Sequence, residues 1–124
     1  MAQKPAADFQ STFDALRKII TPYELSFDVV KETPKDYYLA SKTAKTRSGA
    51  PVWFGGVSMM KNYVSFHLIP VYASPTLAKT LSPDLKKRMQ GKSCFNFTTI
   101  QPAQLKELAA LTKTGFTGFT KRFP

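Results

Sequence analysis

A chain of 124 residues, 43% apolar and 13% aromatic, carries enough material for one buried core and too little for two, which argues against both a disordered chain and a multidomain one. A single cysteine, Cys94, excludes an internal disulfide. The absence of an apolar leader, or of any apolar run near the roughly 20 residues of a membrane span, sets aside secretion and membrane partners and leaves a cytoplasmic location as the expectation. Eighteen Lys and Arg against eight Asp and Glu give a formal charge of +10, which favours anionic partners. No run of five or six like charges occurs, so the same lysines also serve as a solvated surface.

In chain order, Phe9, Phe13, Leu16 and Ile20 recur at helical spacing with Asp14, Arg17 and Lys18 between them. This pattern predicts an amphipathic helix over 7–20, closed by Pro22. The period then drops to two at Leu25, Phe27 and Val29, and a second run follows over 37–41 after the turn residues Thr33, Pro34, Lys35 and Asp36. A hairpin is expected there. A basic loop over 43–50 leads into a third strand from Pro51, in which Gly55 and Gly56 signal a bulge or a close backbone approach. Over 63–70 a fourth strand is expected, with Val64, Phe66 and Leu68 on one face and Ser65, His67 and Ile69 on the other.

Ser74-Pro75 and Ser82-Pro83 each place a capping hydroxyl before a first-turn proline, predicting two short helices that end before Gly91. Phe95 and Phe97 alternate with Cys94, Asn96 and Thr98 in a fifth strand. A last helix opens near Pro102 with Leu105, Leu108, Ala109 and Thr112 inward and Gly115 as its stop. The expected architecture is α+β in two layers: a mainly antiparallel five-stranded sheet covered by N- and C-terminal helices, with short helical turns before the last strand. One domain covers 1–124, with 1–6 and 117–124 as candidate mobile tails.

No catalytic set is recognisable, and the chain is expected not to be an enzyme. Gly91-Lys92-Ser93 is not a phosphate loop, because Lys86 stands where that motif needs a glycine and a helix precedes it where a strand should. His67 and Cys94 are too few for a structural zinc site, and their pairing as nucleophile and base requires contact that a sequence does not display. Asp28 and Glu32 can share a strand face as a weak cation site, opposed by Lys31 and Lys35. Lys79, Lys86, Lys87, Arg88 and Lys92 cluster around the short helices, and Lys42, Lys45 and Arg47 mark the loop before the third strand, as candidate phosphate contacts. Trp53, Tyr63 and Tyr72 are candidate aromatic platforms.

The stretch Asn62-Tyr-Val-Ser-Phe-His-Leu-Ile-Pro-Val-Tyr, then Leu81-Ser-Pro-Asp-Leu-Lys-Lys-Arg-Met-Gln-Gly-Lys-Ser-Cys-Phe-Asn-Phe, resembles the YdhG-like family of bacterial proteins. The likeness covers the last two thirds of the chain and is most specific at Gly91-Lys-Ser-Cys-Phe-Asn-Phe. It implies a compact α+β domain of bacterial cytosol and a distant link to frataxin-like iron chaperones, but no catalytic motif. The basic charge and the lack of an acidic ridge depart from an iron-chaperone pattern, and no iron ligand is carried over.

The expected site is therefore a ligand-binding one for a small, anionic molecule, built from His67, Cys94, Asn96, Lys92 and Arg88 with Trp53, Tyr63 and Tyr72 as walls. Nucleic acid through the basic surface and a metal carrier are the alternatives. No cofactor is expected, and nothing chooses between monomer and homodimer.

Overall fold

The computed structural model describes residues 4–73, 75–90 and 94–122. Helix α1 (Lys4–Ile20) buries Phe13, Leu16 and Ile20, as its apolar spacing requires. It ends at Ile20, two residues before Pro22, and the chain tightens into a 3-10 turn over Thr21–Ser26 with the Thr21 hydroxyl donating to the Arg17 carbonyl at 2.8 Å. Leu25 thus belongs to that turn rather than to a strand, and it is 95% exposed. Of the expected period-two run only Val29 lies in a strand, where it is exposed; Phe27 just precedes that strand, is buried and stacks on Phe54 with ring centroids 4.6 Å apart.

Among the described residues six strands follow: β1 (Asp28–Thr33), β2 (Asp36–Lys45), β3 (Pro51–Met59), β4 (Val64–Leu68), β5 (Met89–Gln90) and β6 (Cys94–Phe97). They form one open antiparallel sheet in the order β1-β2-β3-β4-β6-β5. Thr33 and Asp36 close the first hairpin, with the Thr33 hydroxyl donating to Asp36 Oδ2 at 3.0 Å and accepting from the Lys35 amide at 3.2 Å. The second hairpin turns over 46–50, where Gly49 takes the left-handed φ of 88°. A five-strand reading omits β5, two extended residues beyond a short helix that pair with Cys94 and Phe95.

Pro70 lies just past the end of β4, and the chain turns there into α2 (Ile69–Ala73), followed by α3 (Pro75–Lys79) and α4 (Pro83–Arg88). Ser82 caps α4, its Oγ accepting from the Leu85 amide at 3.2 Å. Glu107 of the last helix accepts from both the Ser82 amide (2.8 Å) and the Ser82 hydroxyl (2.7 Å), tying the cap to that helix.

Helix α5 (Pro102–Arg122) does not stop at Gly115. A Cβ at that position would stand 3.0 Å from the Pro70 side chain, so the glycine lets α2 approach α5 and the helix continues. Residues 117–122 are helical, and Phe119 is buried with Phe27 and Phe54. The inward stripe of α5 is Gln104, Leu108, Leu111, Thr112, Gly115 and Phe119; Ala109, about 100° round the helix from Leu108, is exposed.

The core takes Tyr37, Leu39, Phe54, Val57, Val64, Phe66, Leu68, Phe95 and Phe97 from one face of the sheet, together with buried residues of the helices. At its margin the Tyr37 hydroxyl donates to Glu24 Oε2 at 2.6 Å, and Arg17 lies over the Tyr37 ring at 4.3 Å. Burial and the Glu24 carboxylate push the Tyr37 phenol up to about 12. Among the described residues no helix is long and apolar enough to cross a membrane.

Candidate functional site

In an antiparallel sheet, residues directly opposite one another point to the same face. The register places Lys31, Tyr38, Gly56, His67, Cys94 and Gln90 in one row across all six strands. The neighbouring row is Thr33, Asp36, Ser58, Ser65 and Asn96. Both rows lie on the face opposite the core, since the strand residues between them, Phe66 and Phe95 among them, are buried against the helices.

Gly56 is the hinge of the first row. A Cβ there would collide with the Tyr38 ring and stand 2.5 Å from the Tyr37 carbonyl. Without it, the Tyr38 ring packs on the glycine backbone, with its centroid 5.7 Å from that of the His67 ring and 4.7 Å from that of Trp53. The expectation of a close backbone approach at the glycine pair is met here, and a bulge lies next to it, where Leu39 pairs with Gly55 but Ala40 pairs with Trp53.

Cys94 Sγ lies 2.6 Å from His67 Nδ1, and His67 Nε2 lies 3.1 Å from Ser65 Oγ. Burial holds the imidazole below its ordinary value, so it is neutral at pH 7. A neutral ring that accepts the thiol proton at Nδ1 carries its own proton on Nε2, and the Ser65 oxygen accepts it. Cys94 and His67 are half-buried, neither sealed beneath helices nor fully exposed.

A second chain of hydrogen bonds runs from Tyr38 to Ser58 (2.5 Å) and from the Ser58 hydroxyl to Asp36 Oδ1 (2.8 Å). Burial pushes the Asp36 carboxyl up, but the Ser58 and Thr33 hydroxyls and the Lys31 ammonium at 3.7 Å outweigh it and hold the group below its usual range. Burial raises the Tyr38 phenol, so it stays protonated and donates to Ser58.

Beside the Cys94 end of the row, a pocket of about 290 Å³ opens between β6, the α4–β5 segment and the residues before β4. Tyr63, Asn62, Lys87, Arg88, Gln90 and Asn96 line it. Basic residues suit the last turn of α4, where the helix carbonyls are unsatisfied. Among the described residues, neither Lys87 nor Arg88 has a carboxylate oxygen within 4.0 Å. Asn96 Oδ1 is buried without a hydrogen-bond partner among the described residues. A larger depression of about 690 Å³ between α1 and α5 contains none of the candidate ligand-binding residues.

The structure therefore brings together two neighbouring groups: Trp53, His67 and Cys94 through Tyr38, and Tyr63, Arg88 and Asn96 around the pocket. Lys92, the Gly91-Lys92-Ser93 segment and the Tyr72 side chain lie outside the described residues. Sequence reasoning missed Tyr38, Ser58 and Gln90 as members of the site. The parity of β2 and β3 carries the first two, but only the register shows that Tyr38 meets His67 and that Ser58 lies opposite Ser65.

Asp28 and Glu32 do not share a face. A bulge at Val30 reverses the parity of β1, so Asp28 lies opposite Ala40 and pairs with Lys42 at 3.3 Å, whereas Glu32 lies opposite Tyr37 and pairs with Arg17 at 2.6 Å. Among the described residues no group of three or more His, Cys, Asp or Glu is placed to hold a metal ion. No family model, curated protein or solved structure matches the chain.

Proposed function

We infer that the protein is a non-catalytic binding domain for a small anionic molecule, held in the pocket between β6 and the α4–β5 segment. The observation that carries this reading is the pairing of two cations lacking a carboxylate partner among the described residues, Lys87 and Arg88, with neutral hydrogen-bonding groups, Asn62, Gln90 and Asn96, around one cavity. A volume of about 290 Å³ is at the small end of ligand sites and suits a compact anion with few rotatable bonds. Arg88 supplies the forked donor geometry that carboxylates and phosphates match, and Tyr63 supplies a wall. The YdhG-like resemblance accords with this reading, because it implies an α+β domain of bacterial cytosol without a catalytic motif.

Thermal unfolding in inorganic phosphate or citrate tests it. The midpoint rises with ligand concentration in the wild-type chain, as linkage requires for binding to the folded state, and Arg88→Ala removes most of the rise. A midpoint that ignores both anions, or responds identically in Arg88→Ala, overturns the reading.

A second reading is single-stranded nucleic acid on the polar sheet face, favoured by Trp53, which is 41% exposed there and backed by Tyr38. Gel-shift titration against salt separates the two, since several phosphate contacts give a steep loss of affinity with salt.

A further inference from the structure

We propose that Cys94 is a thiol-exchange site that takes small anionic disulfides, with His67 as its base and the adjacent pocket holding the negative end of the reagent. This rests on the anion-pocket reading above and adds the substrate class and the chemistry. Two observations meet at Cys94. Its sulfur lies 2.6 Å from His67 Nδ1, and the other ring nitrogen is positioned by Ser65. A thiol in contact with an oriented imidazole is the arrangement that activates sulfur as a nucleophile.

The second observation is where the sulfur sits. Gln90, the cross-strand partner of Cys94, and Asn96, two residues along the same face, both line the pocket that Lys87 and Arg88 border. Two residues of strand span roughly 6–7 Å, a separation that a peptide-sized disulfide such as oxidised glutathione can bridge between its sulfur and its carboxylates. The anionic groups and the disulfide can therefore be held together, one in the pocket and one at Cys94.

The step balances within the named reagents. His67 Nδ1 accepts the thiol proton as the Cys94 sulfur attacks one disulfide sulfur; the new S–S bond forms as the old one breaks. The departing thiolate takes the proton back from the imidazolium and leaves as a thiol, while Cys94 is oxidised to a mixed disulfide. The chain has no second cysteine to resolve that adduct, so it persists until an external thiol reverses the exchange.

The test incubates the full chain at physiological salt with oxidised glutathione (anionic), bis(2-hydroxyethyl) disulfide (neutral) and cystamine (cationic), following adduct formation by intact mass. The neutral reagent modifies the folded chain about tenfold or more faster than the chain unfolded in urea, a modest share of what a positioned base supplies. The anionic reagent is fastest and the cationic slowest. Arg88→Ala lowers the anionic-to-neutral rate ratio, whereas Lys121→Ala on α5, which changes the net charge equally, leaves that ratio in place. Cys94→Ser gives no adduct.

A neutral reagent that reacts no faster with the folded chain overturns thiol activation, and phosphate binding then decides the pocket reading independently. Fast exchange that is blind to charge, or a ratio lowered equally by Lys121→Ala, overturns the choice of an anionic reagent. The wild-type comparisons need no variant, so an Arg88 substitution that fails to fold does not shield the proposal.

Discussion

The two faces of the same sheet are built on opposite principles. On the helix-covered face Phe54, Val57, Phe66, Leu68 and Phe95 are fully buried, and any apolar group of the right volume would serve. On the other face Tyr38, Ser58 and Ser65 are almost as inaccessible, yet each has a specific partner: a hydroxyl, a carboxylate or an imidazole. The difference teaches that burial alone does not mark the core of this molecule. One face is held by area removed from water, and the other by hydrogen bonds that must all be made together.

Adjacent residues of β4 break this comparison most sharply. Phe66→Ala removes a fully buried ring and is expected to cost about 3–5 kcal/mol in urea unfolding, whereas Ser65→Ala on the opposite face costs about 1 kcal/mol. Equal losses would show that the two faces are not distinct in kind. Gly56→Ala comes next, at about 1–3 kcal/mol, because the added methyl group must displace Tyr38 or the β2 backbone. The same variant separates the Tyr38 and His67 rings, so near-ultraviolet circular dichroism should change along with the stability.

The smallest effect is the pH dependence of the polar face. Burial lowers the folded-state value of His67 below that of the unfolded chain, so the unfolded state binds the proton more readily. The contribution of His67 to stability is complete above about pH 6.5 and declines as pH falls below it. The melting midpoint should therefore drop between pH 7.5 and 5.5 in the wild-type chain and drop less in His67→Gln. Parallel curves would remove His67 from the account.

Much of the architecture is legible in local patterns. The alternation of Val64, Phe66 and Leu68 with Ser65 and His67 assigns each to its observed face, and Ser82-Pro83 marks a helix start that the Ser82 cap confirms. Where local reading fails, a distant partner is the cause. Leu25 has the spacing of a strand residue, but Pro22 and the Phe27 contact with Phe54 draw it into a turn. Gly115 has the chemistry of a helix stop, but Pro70 needs the space that its missing side chain leaves. Asp28 and Glu32 are four apart, an even spacing that a bulge inverts.

The candidate site was half visible for the same reason. His67, Cys94 and Asn96 stand out as polar positions in apolar strands, and parity places them on one side. Tyr38 looks like one more core aromatic, because only its pairing opposite Gly56 directs it towards His67.

From its residues alone, this chain determines which segments are helix or strand and which side of most strands is apolar, because those properties depend on neighbours two to four positions away. The tertiary structure decides register, bulges and the meeting of Cys94, His67 and Ser65 beside a basic pocket. Those depend on which distant strand lies opposite, and a shift of one residue would turn every one of these side chains to the other face.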